Sequence, residues 1–305
     1  MHFEFFVYSH YVSQSIHTLF PALIRFIKSQ EQLRKFKIDG DNRSTEFYGI
    51  ISALKSQKNT LQEVILDSCV FSTEFEVLNN CKNLETLRIL YCDTELLKIL
   101  DFNISTLEIL YVQIDVSIIV QILEKVGKLL QRLKIKTGIV IREESLLLET
   151  LKSFCPNIIY LYIAKIGLST QLLELIGNLQ KLQYFSLRYF YGISKEEMKI
   201  RVMQFAKILP STLQYLDIAL DIADNFRDSF MDILLDHCNA SLKKLLISSG
   251  NLKNERNTKA LIRYCTRIRT LNYVGLNNND LGDDIINELE KYVTLVTYKH
   301  IVVNC

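Results

Sequence analysis

The chain has 305 residues, 49% of them apolar, and a formal net charge of +2. That length holds two ordinary domains or one extended repeat array, with enough apolar residues for a continuous core. So even a balance is not the strongly basic composition of a nucleic-acid binder, and only the placement of charge can be informative.

With 3 prolines and 10 glycines, a long flexible linker is not expected. The N-terminus, Met1-His2-Phe3-Glu4-Phe5-Phe6, lacks a basic stretch and carries Glu4 within its apolar run, so no secretory leader is read there. No run of about 18 uncharged apolar residues predicts a membrane span. Seven cysteines in a chain without a secretory route then read as reduced thiols in a cytoplasmic or nuclear protein.

In chain order, Phe3, Phe5 and Val7 have the alternation of a strand remnant, and Phe20–Ile27 reads as the helix of an incomplete leading repeat; together they form a flank over residues 1–30. From residue 31 to 305 one line recurs, L-x-x-L-x-L. Its copies are Leu33/Phe36/Ile38, Leu61/Val64/Leu66, Leu84/Leu87/Ile89, Leu107/Leu110/Val112 and Leu130/Leu133/Ile135. They continue as Ile158/Leu161/Ile163, Leu182/Phe185/Leu187, Leu213/Leu216/Ile218, Leu242/Leu245/Ile247 and Ile268/Leu271/Tyr273, with a weak last copy at Leu295/Tyr298/His300. Three of them, at Leu84, Leu107 and Leu130, stand 23 residues apart. A fixed period of this size with apolar residues at these offsets marks a leucine-rich repeat.

Each line predicts a short strand, and the segments between lines have helical spacing. Ser169, Asp228 and Asp283 are predicted N-caps, and Ser194-Lys195-Glu196-Glu197 has the form of a capping box. The longer steps are expected to bulge at Asp221–Arg227 and Ser248–Asn257. A strand–helix unit this short cannot bury its own apolar face, so the units must stack. The expected fold class is therefore α/β, a leucine-rich-repeat solenoid of about eleven repeats. It would form a horseshoe with a curved parallel sheet on the concave side and helices on the convex side.

The cysteines fall at repeated offsets. Cys69 and Cys92 follow the third apolar residue of their lines by three; Cys81, Cys155 and Cys265 precede the first by three, and Cys238 by four. A small apolar thiol suits the tight turns at the two ends of a strand. No C-x-x-C pair or other metal-ligand spacing is present.

These residues resemble a family. Asn80-Cys81-Lys82-Asn83-Leu84-x-x-Leu87-x-Ile89-x-x-Cys92 and Phe154-Cys155-Pro156-Asn157-Ile158-x-x-Leu161-x-Ile163 are similar to the cysteine-containing, RNI-like repeats of F-box/leucine-rich-repeat proteins, in particular the fungal F-box-like type. In that family the F-box docks on the adaptor of a cullin-RING (SCF) ubiquitin ligase, and the repeats hold the protein destined for ubiquitin-dependent degradation. The resemblance implies a substrate-binding part of such a receptor. It also departs from the family pattern: the 32 residues before Leu33 contain no Leu-Pro-x-Glu-like opening. The F-box is expected to be lost or cut off by truncation, so the ligase adaptor is a partner only if an F-box is supplied. The alternatives are a stand-alone interaction scaffold and a truncated gene product.

Counting two, four and six residues on from the first apolar residue of each line gives the outward strand positions. Tyr111, Tyr160, Tyr162, Tyr184 and Tyr215 cluster there with Arg132, Lys134 and Lys136, flanked by Arg88 and Arg188. Tyrosine and arginine are enriched at interface hot spots. The three rows carry nine basic and four acidic residues, so the expected partner is an acidic or phosphorylated protein segment. The competing reading is that tyrosine is there for its β propensity alone. Glu63, Asp67 and Asp217 interrupt the basic stripe and argue against nucleic acid. The five histidines are scattered, with His237 beside Cys238 at a predicted helix end. Without a phosphate loop, metal motif or nucleophile elbow, neither an enzyme nor a bound cofactor is expected.

Overall fold

The structure is a computed structural model that describes residues 2–6, 16–40, 49–99, 103–111, 114–190, 195–220, 224–247, 255–276 and 283–297. The chain divides into two compact units, Met1–Cys155 and Pro156–Cys305.

The first unit contains strands β1 (His2–Phe6), β2 (Lys35–Asp39), β3 (Glu63–Asp67), β4 (Thr86–Leu90), β5 (Thr106–Leu110) and β6 (Arg132–Lys136). All pair in parallel with their chain neighbours, in a register that aligns Phe3, Phe36, Val64, Leu87, Leu107 and Leu133. From Phe36 onward that row is almost wholly buried, as is the row of Ile38, Leu66, Ile89, Ile109 and Ile135 two residues on. Alternation along the strand turns these side chains inward and leaves the intervening ones on the other face. The helical segments are α1 (Ile16–Ser29), α2 (Ile50–Ala53) running into 3-10 turns at Leu54–Gln57, 3-10 segments at Thr73–Asn80 and Thr94–Ile99, α3 (Val116–Val126) and α4 (Glu144–Phe154).

The second unit repeats the plan with longer helices. Its strands are β7 (Tyr160–Ala164), β8 (Tyr184–Phe190), β9 (Tyr215–Leu220), β10 (Lys244–Ile247), β11 (Tyr273–Leu276) and β12 (Thr294–Thr297). They alternate with α5 (Thr170–Asn178), α6 (Lys195–Ile208), α7 (Asp224–His237), α8 (Glu255–Ile268) and α9 (Asp283–Leu289). Leu161, Phe185, Leu216, Leu245, Val274 and Leu295 share one register.

Repeat length is absorbed by the helical segment. The step of 20 residues from Leu84 to Ile104 leaves room only for the 3-10 segment Thr94–Ile99; a 3-10 turn covers more length per residue than an α turn. The step of 26 from Ile104 to Leu130 holds the 11-residue α3, and the step of 31 from Leu182 to Leu213 holds the 14-residue α6. Helix starts are fixed locally. Ser169 caps α5 by accepting from the Leu172 amide at 3.3 Å, and Asp115 caps α3 by accepting from the Ser117 amide at 2.9 Å. The end of α7 is closed by its neighbour: Arg267 of α8 donates to the Leu235, Asp236 and Cys238 carbonyls at 2.7–2.9 Å. Beside it, the buried Tyr264 hydroxyl donates to the Ala240 carbonyl at 2.5 Å and accepts from the Leu242 amide at 3.3 Å.

The observed register corrects three lines. The fourth is Ile104-x-x-Leu107-x-Ile109 rather than Leu107/Leu110/Val112, because Leu107 pairs with Leu87. The tenth is Leu271-x-x-Val274-x-Leu276 rather than Ile268/Leu271/Tyr273, because Val274 pairs with Leu245. The eleventh moves likewise: Leu295 pairs with Val274. Each slip is of three residues, and in the first two apolar residues recur at every third position, so the template fits twice. The spacing of 23 between Leu84, Leu107 and Leu130 therefore does not hold. Two helix starts also move. The first turn of α7 takes up Asp224–Arg227, expected as a loop, and places Asp228 inside the helix; Asp283 is the first residue of α9. Likewise Glu255–Asn257 belongs to α8 rather than to a loop. Ser194 and the rest of the second expected loop lie outside the described residues.

Candidate functional site

On the outward face of the first unit, charge is laddered across strands. Lys35 lies 3.4 Å from Glu63, Glu63 lies 3.2 Å from Arg88, and Arg88 lies 3.8 Å from Glu108. These residues occupy successive strands β2 to β5, so their spacing follows from strand pairing. Arg88 is thus held between two carboxylates. Glu108 in turn faces Lys134 in register. Burial pushes the Asp39 carboxyl up, Asp67 beside it pushes the same way, and Lys37 pulls it back. Strand β6 differs from all of these, since its three outward positions are Arg132, Lys134 and Lys136.

A second feature sits where the strands end. Ser68, Tyr91 and Tyr111 each follow the last residue of a strand and take a positive φ of 52–59°. Their amides donate across to the next strand's last carbonyl, at Leu90, Leu110 and Lys136. A non-glycine residue in that region costs about 1 kcal/mol, offset here by a continued hydrogen-bond ladder. The conformation brings Tyr91 and Tyr111 face to face, with ring centroids 4.7 Å apart and planes within 4°. The Lys136 ammonium lies 4.2 Å from the Tyr111 centroid and donates to its hydroxyl. Both rings remain open, Tyr91 at 51% and Tyr111 at 41%. Tyr111 is therefore a strand-exit residue and not a member of the row on the sheet, a consequence of the slip in the fourth line.

In the second unit Tyr160, Tyr184 and Tyr215 stand in register, with centroids 6.4 and 6.2 Å apart. The row continues through Lys244 to Tyr273, whose ring centroid lies 5.8 Å from the Lys244 ammonium. The line spacing turns Tyr273 inward, yet it is 41% exposed; the same spacing leaves Tyr215 open, yet it is 6% exposed. Tyr215 is sandwiched in register between Tyr184 and Lys244, and Asp217 and Ala219 on the same strand are buried with it. Tyr162 aligns with Ser186 and Asp217 in the next row. There Asp217 accepts from Arg188 at 2.5 Å and from the Ser186 hydroxyl at 2.8 Å. Burial pushes the Asp217 carboxyl up, while Arg188 and Ser186 hold it back.

The two units thus hold the sequence-derived residues in separate groups. Tyr111 and Lys136 touch, while Arg132 and Lys134 share β6 with Lys136 and Arg88 joins the ladder toward β2. In the second unit Tyr160, Tyr184 and Tyr215 form one row, with Arg188 and Tyr162 beside it. Sequence reasoning missed Tyr91, which the repeat template places just past a strand, and Tyr273, hidden by the slip.

The six described cysteines line the core. The Cys69 amide donates to the Cys92 sulfur at 3.2 Å, and the Cys92 thiol donates to the Leu90 carbonyl at 3.1 Å, so the two close successive strand exits. Cys69, Cys81, Cys92, Cys155, Cys238 and Cys265 are all reduced and buried. With the tenth line re-registered, Cys265 no longer stands three residues before it. Burial pushes the Cys238 thiol up, and His237 Nδ1 lies 3.0 Å from the Ile233 carbonyl within its own helix, so the two do not act as a thiolate pair. Among the described residues no three His, Cys, Asp or Glu side chains gather as a metal site requires. No described helix is long and apolar enough to cross a membrane.

No family model matches the sequence, and no curated protein sequence matches it significantly. Among solved structures, the leucine-rich repeat-containing protein LegL7 from Legionella pneumophila aligns over 99% of both chains, with 12% identity and a TM-score of 0.54. The Rad7 and Elc1 complex of yeast aligns over 93% of this chain and 88% of that one, with 12% identity and a TM-score of 0.45. A Bacteroides fragilis protein aligns over 89% of this chain and 68% of its own, with 18% identity and a TM-score of 0.42. The likeness to LegL7 agrees with the repeat geometry above: the fold is that of a leucine-rich-repeat protein, parallel strands alternating with helical segments over about eleven repeats.

Proposed function

We propose that this chain is a protein-interaction module whose strand face takes an acidic or phosphorylated segment of a partner protein. The observation that carries the reading is β6, where all three outward positions are cationic while neighbouring β5 offers Glu108 alone among its outward residues Thr106, Glu108 and Leu110. Arg88 is less suited to this role, being held between Glu63 and Glu108. In the second unit Tyr160, Tyr184 and Tyr273 supply aromatic area with polar tips, which suits protein recognition. Tyr215 serves that row as its buried support, and Tyr162 and Arg188 flank it.

The test uses a bead library of acidic and phosphoserine-containing peptides. The wild-type chain is expected to retain such peptides at low salt and to release them as screening shortens the range of charge interactions. Arg132→Glu with Lys134→Glu is expected to lower retention at least tenfold. Retention unchanged in that double variant would overturn the reading.

The finer role, holding substrates for a cullin-RING ubiquitin ligase, is supported by the cysteine-bearing lines around Leu84 and Ile158 and requires an F-box. Co-expression with the ligase adaptor, with and without a fused F-box, tests it: adaptor and peptide should be held together only by the fused chain.

A further inference from the structure

We propose that the groove beyond the exits of β4, β5 and β6 is a second docking site, one that takes a basic peptide segment bearing an exposed apolar side chain. The proposal concerns a different surface from the strand face and does not rest on that reading. The groove encloses about 700 Å³. Three stretches of the first unit bound it: the start of the 3-10 segment after β4, the N-terminal turn of α3, and residues 137–143 after β6. Such a volume is within the range of specific ligand sites.

Its apolar wall comes from Ile114 and Val116 on one side and Ile139 and Val140 on the other. Ile139 and Val140 stand 53% and 43% exposed. Two adjacent open aliphatic side chains at the mouth of a groove are the kind of patch that marks an interaction surface.

The rim is anionic. Asp93, Glu95, Asp115 and Glu143 line it, against Arg142 alone. Glu95 accepts from Lys98 at 2.7 Å and is neutralised there. Asp93, Asp115 and Glu143 remain to set the sign. Hydrogen bonds from Ser117 hold the Asp115 carboxyl below the usual carboxylate range. Glu143 stands at the N-cap of α4 without using its side chain to cap the helix. The three carboxylates come from three separate stretches of chain, and they do not gather on one point as metal ligands would. That spacing suits cations distributed along a peptide and disfavours a phosphate or a nucleic acid, which like charge would repel. The basic strand β6 lies at the start of the same stretch, so one unit presents surfaces of opposite sign.

The experiment is selection from a random dodecamer phage library on the immobilised wild-type chain. Expected are enriched peptides with net positive charge and at least one aliphatic or aromatic residue. Their binding, read by fluorescence anisotropy, should fall at least tenfold in Ile139→Asp/Val140→Asp and in Asp93→Lys/Glu143→Lys. It should be unchanged in Arg132→Glu/Lys134→Glu, so failure of the strand-face reading would leave this result intact. All of the substituted groove positions are exposed, and thermal melts confirm that the variants fold. Absence of a basic class among the enriched peptides, or binding of that class indifferent to both groove variants, would overturn the proposal. So would a wild-type dimer, by analytical ultracentrifugation, that Ile139→Asp/Val140→Asp dissolves, since a second copy would then occupy the groove.

Discussion

Arg188 reaches across from β8 to place its guanidinium 2.5 Å from the carboxylate of Asp217 on β9, at a point where Asp217 is only 4% exposed. The Ser186 hydroxyl gives Asp217 a second donor. Burial still wins over both, and the carboxyl stays above its ordinary value. The native state therefore holds a proton more tightly than the unfolded chain does, so stability gains as pH falls through the raised native value toward the ordinary one. Asp217→Asn keeps the acceptor and removes the charge. It is expected to be neutral or stabilising at pH 7 and to lose that acid-side gain. Arg188→Ala is expected to cost about 3 kcal/mol at pH 7, and less at pH 4.5, where Asp217 can protonate. Denaturant melts of both variants at the two pH values check the sign.

The re-registered tenth line predicts opposite fates for adjacent residues. Val274 is fully buried and pairs with Leu245, whereas Tyr273 is on the open face. Val274→Asp is expected to cost more than about 3 kcal/mol, since it buries a charge without a partner. Tyr273→Asp is expected to stay within about 1 kcal/mol of wild type. Equal melting temperatures for the two variants would refute the register.

This pair also shows what could be read in the sequence and what could not. Repeat existence, strand direction and the buried rows were legible wherever the line was unambiguous, as at Leu33, Leu61 and Leu182. The phase was lost at Ile104 and Leu271 because apolar residues at every third position satisfy two registers, and only pairing with a neighbouring strand decides between them. The β6 cations could be placed from sequence because their line is unambiguous. Tyr215 could not be recognised as buried, since alternation gives its side of the sheet and not what covers it. The Tyr91–Tyr111 stack needed the positive φ at both strand exits, which no pattern of residue types announces.

Gly127 closes α3 against the end of α4. A Cβ at this position would stand 2.3 Å from the Leu123 carbonyl oxygen, 2.7 Å from that of Phe154 and 2.8 Å from the Cys155 sulfur. Two of these are backbone atoms that cannot swing away. Gly127→Ala is expected to destabilise the chain by about 1–3 kcal/mol through overpacking, seen as a lower midpoint in urea. A gain in stability would show that the two helix ends can separate.

The buried thiols should be chemically silent. Burial pushes Cys81 and Cys265 up to about 11 and Cys155 up to about 12, and the thiolate is the reactive form. In a Cys305→Ser variant, a disulfide-exchange reagent at pH 8 is expected to titrate none of the six remaining cysteines in the native state and all of them in denaturant. A fast-reacting thiol in the native protein would contradict the packing role.

A partner held on the strand face at β6 must shield the lysines of that strand, and lysine footprinting reads this out. The native chain is acetylated briefly with and without a bound acidic or phosphoserine peptide, and each lysine is quantified by mass spectrometry. Protection is expected at Lys134 and Lys136, with Lys199 and Lys259 on the helices labelled equally in both samples. Protection of the helical lysines with Lys134 and Lys136 unchanged would contradict it.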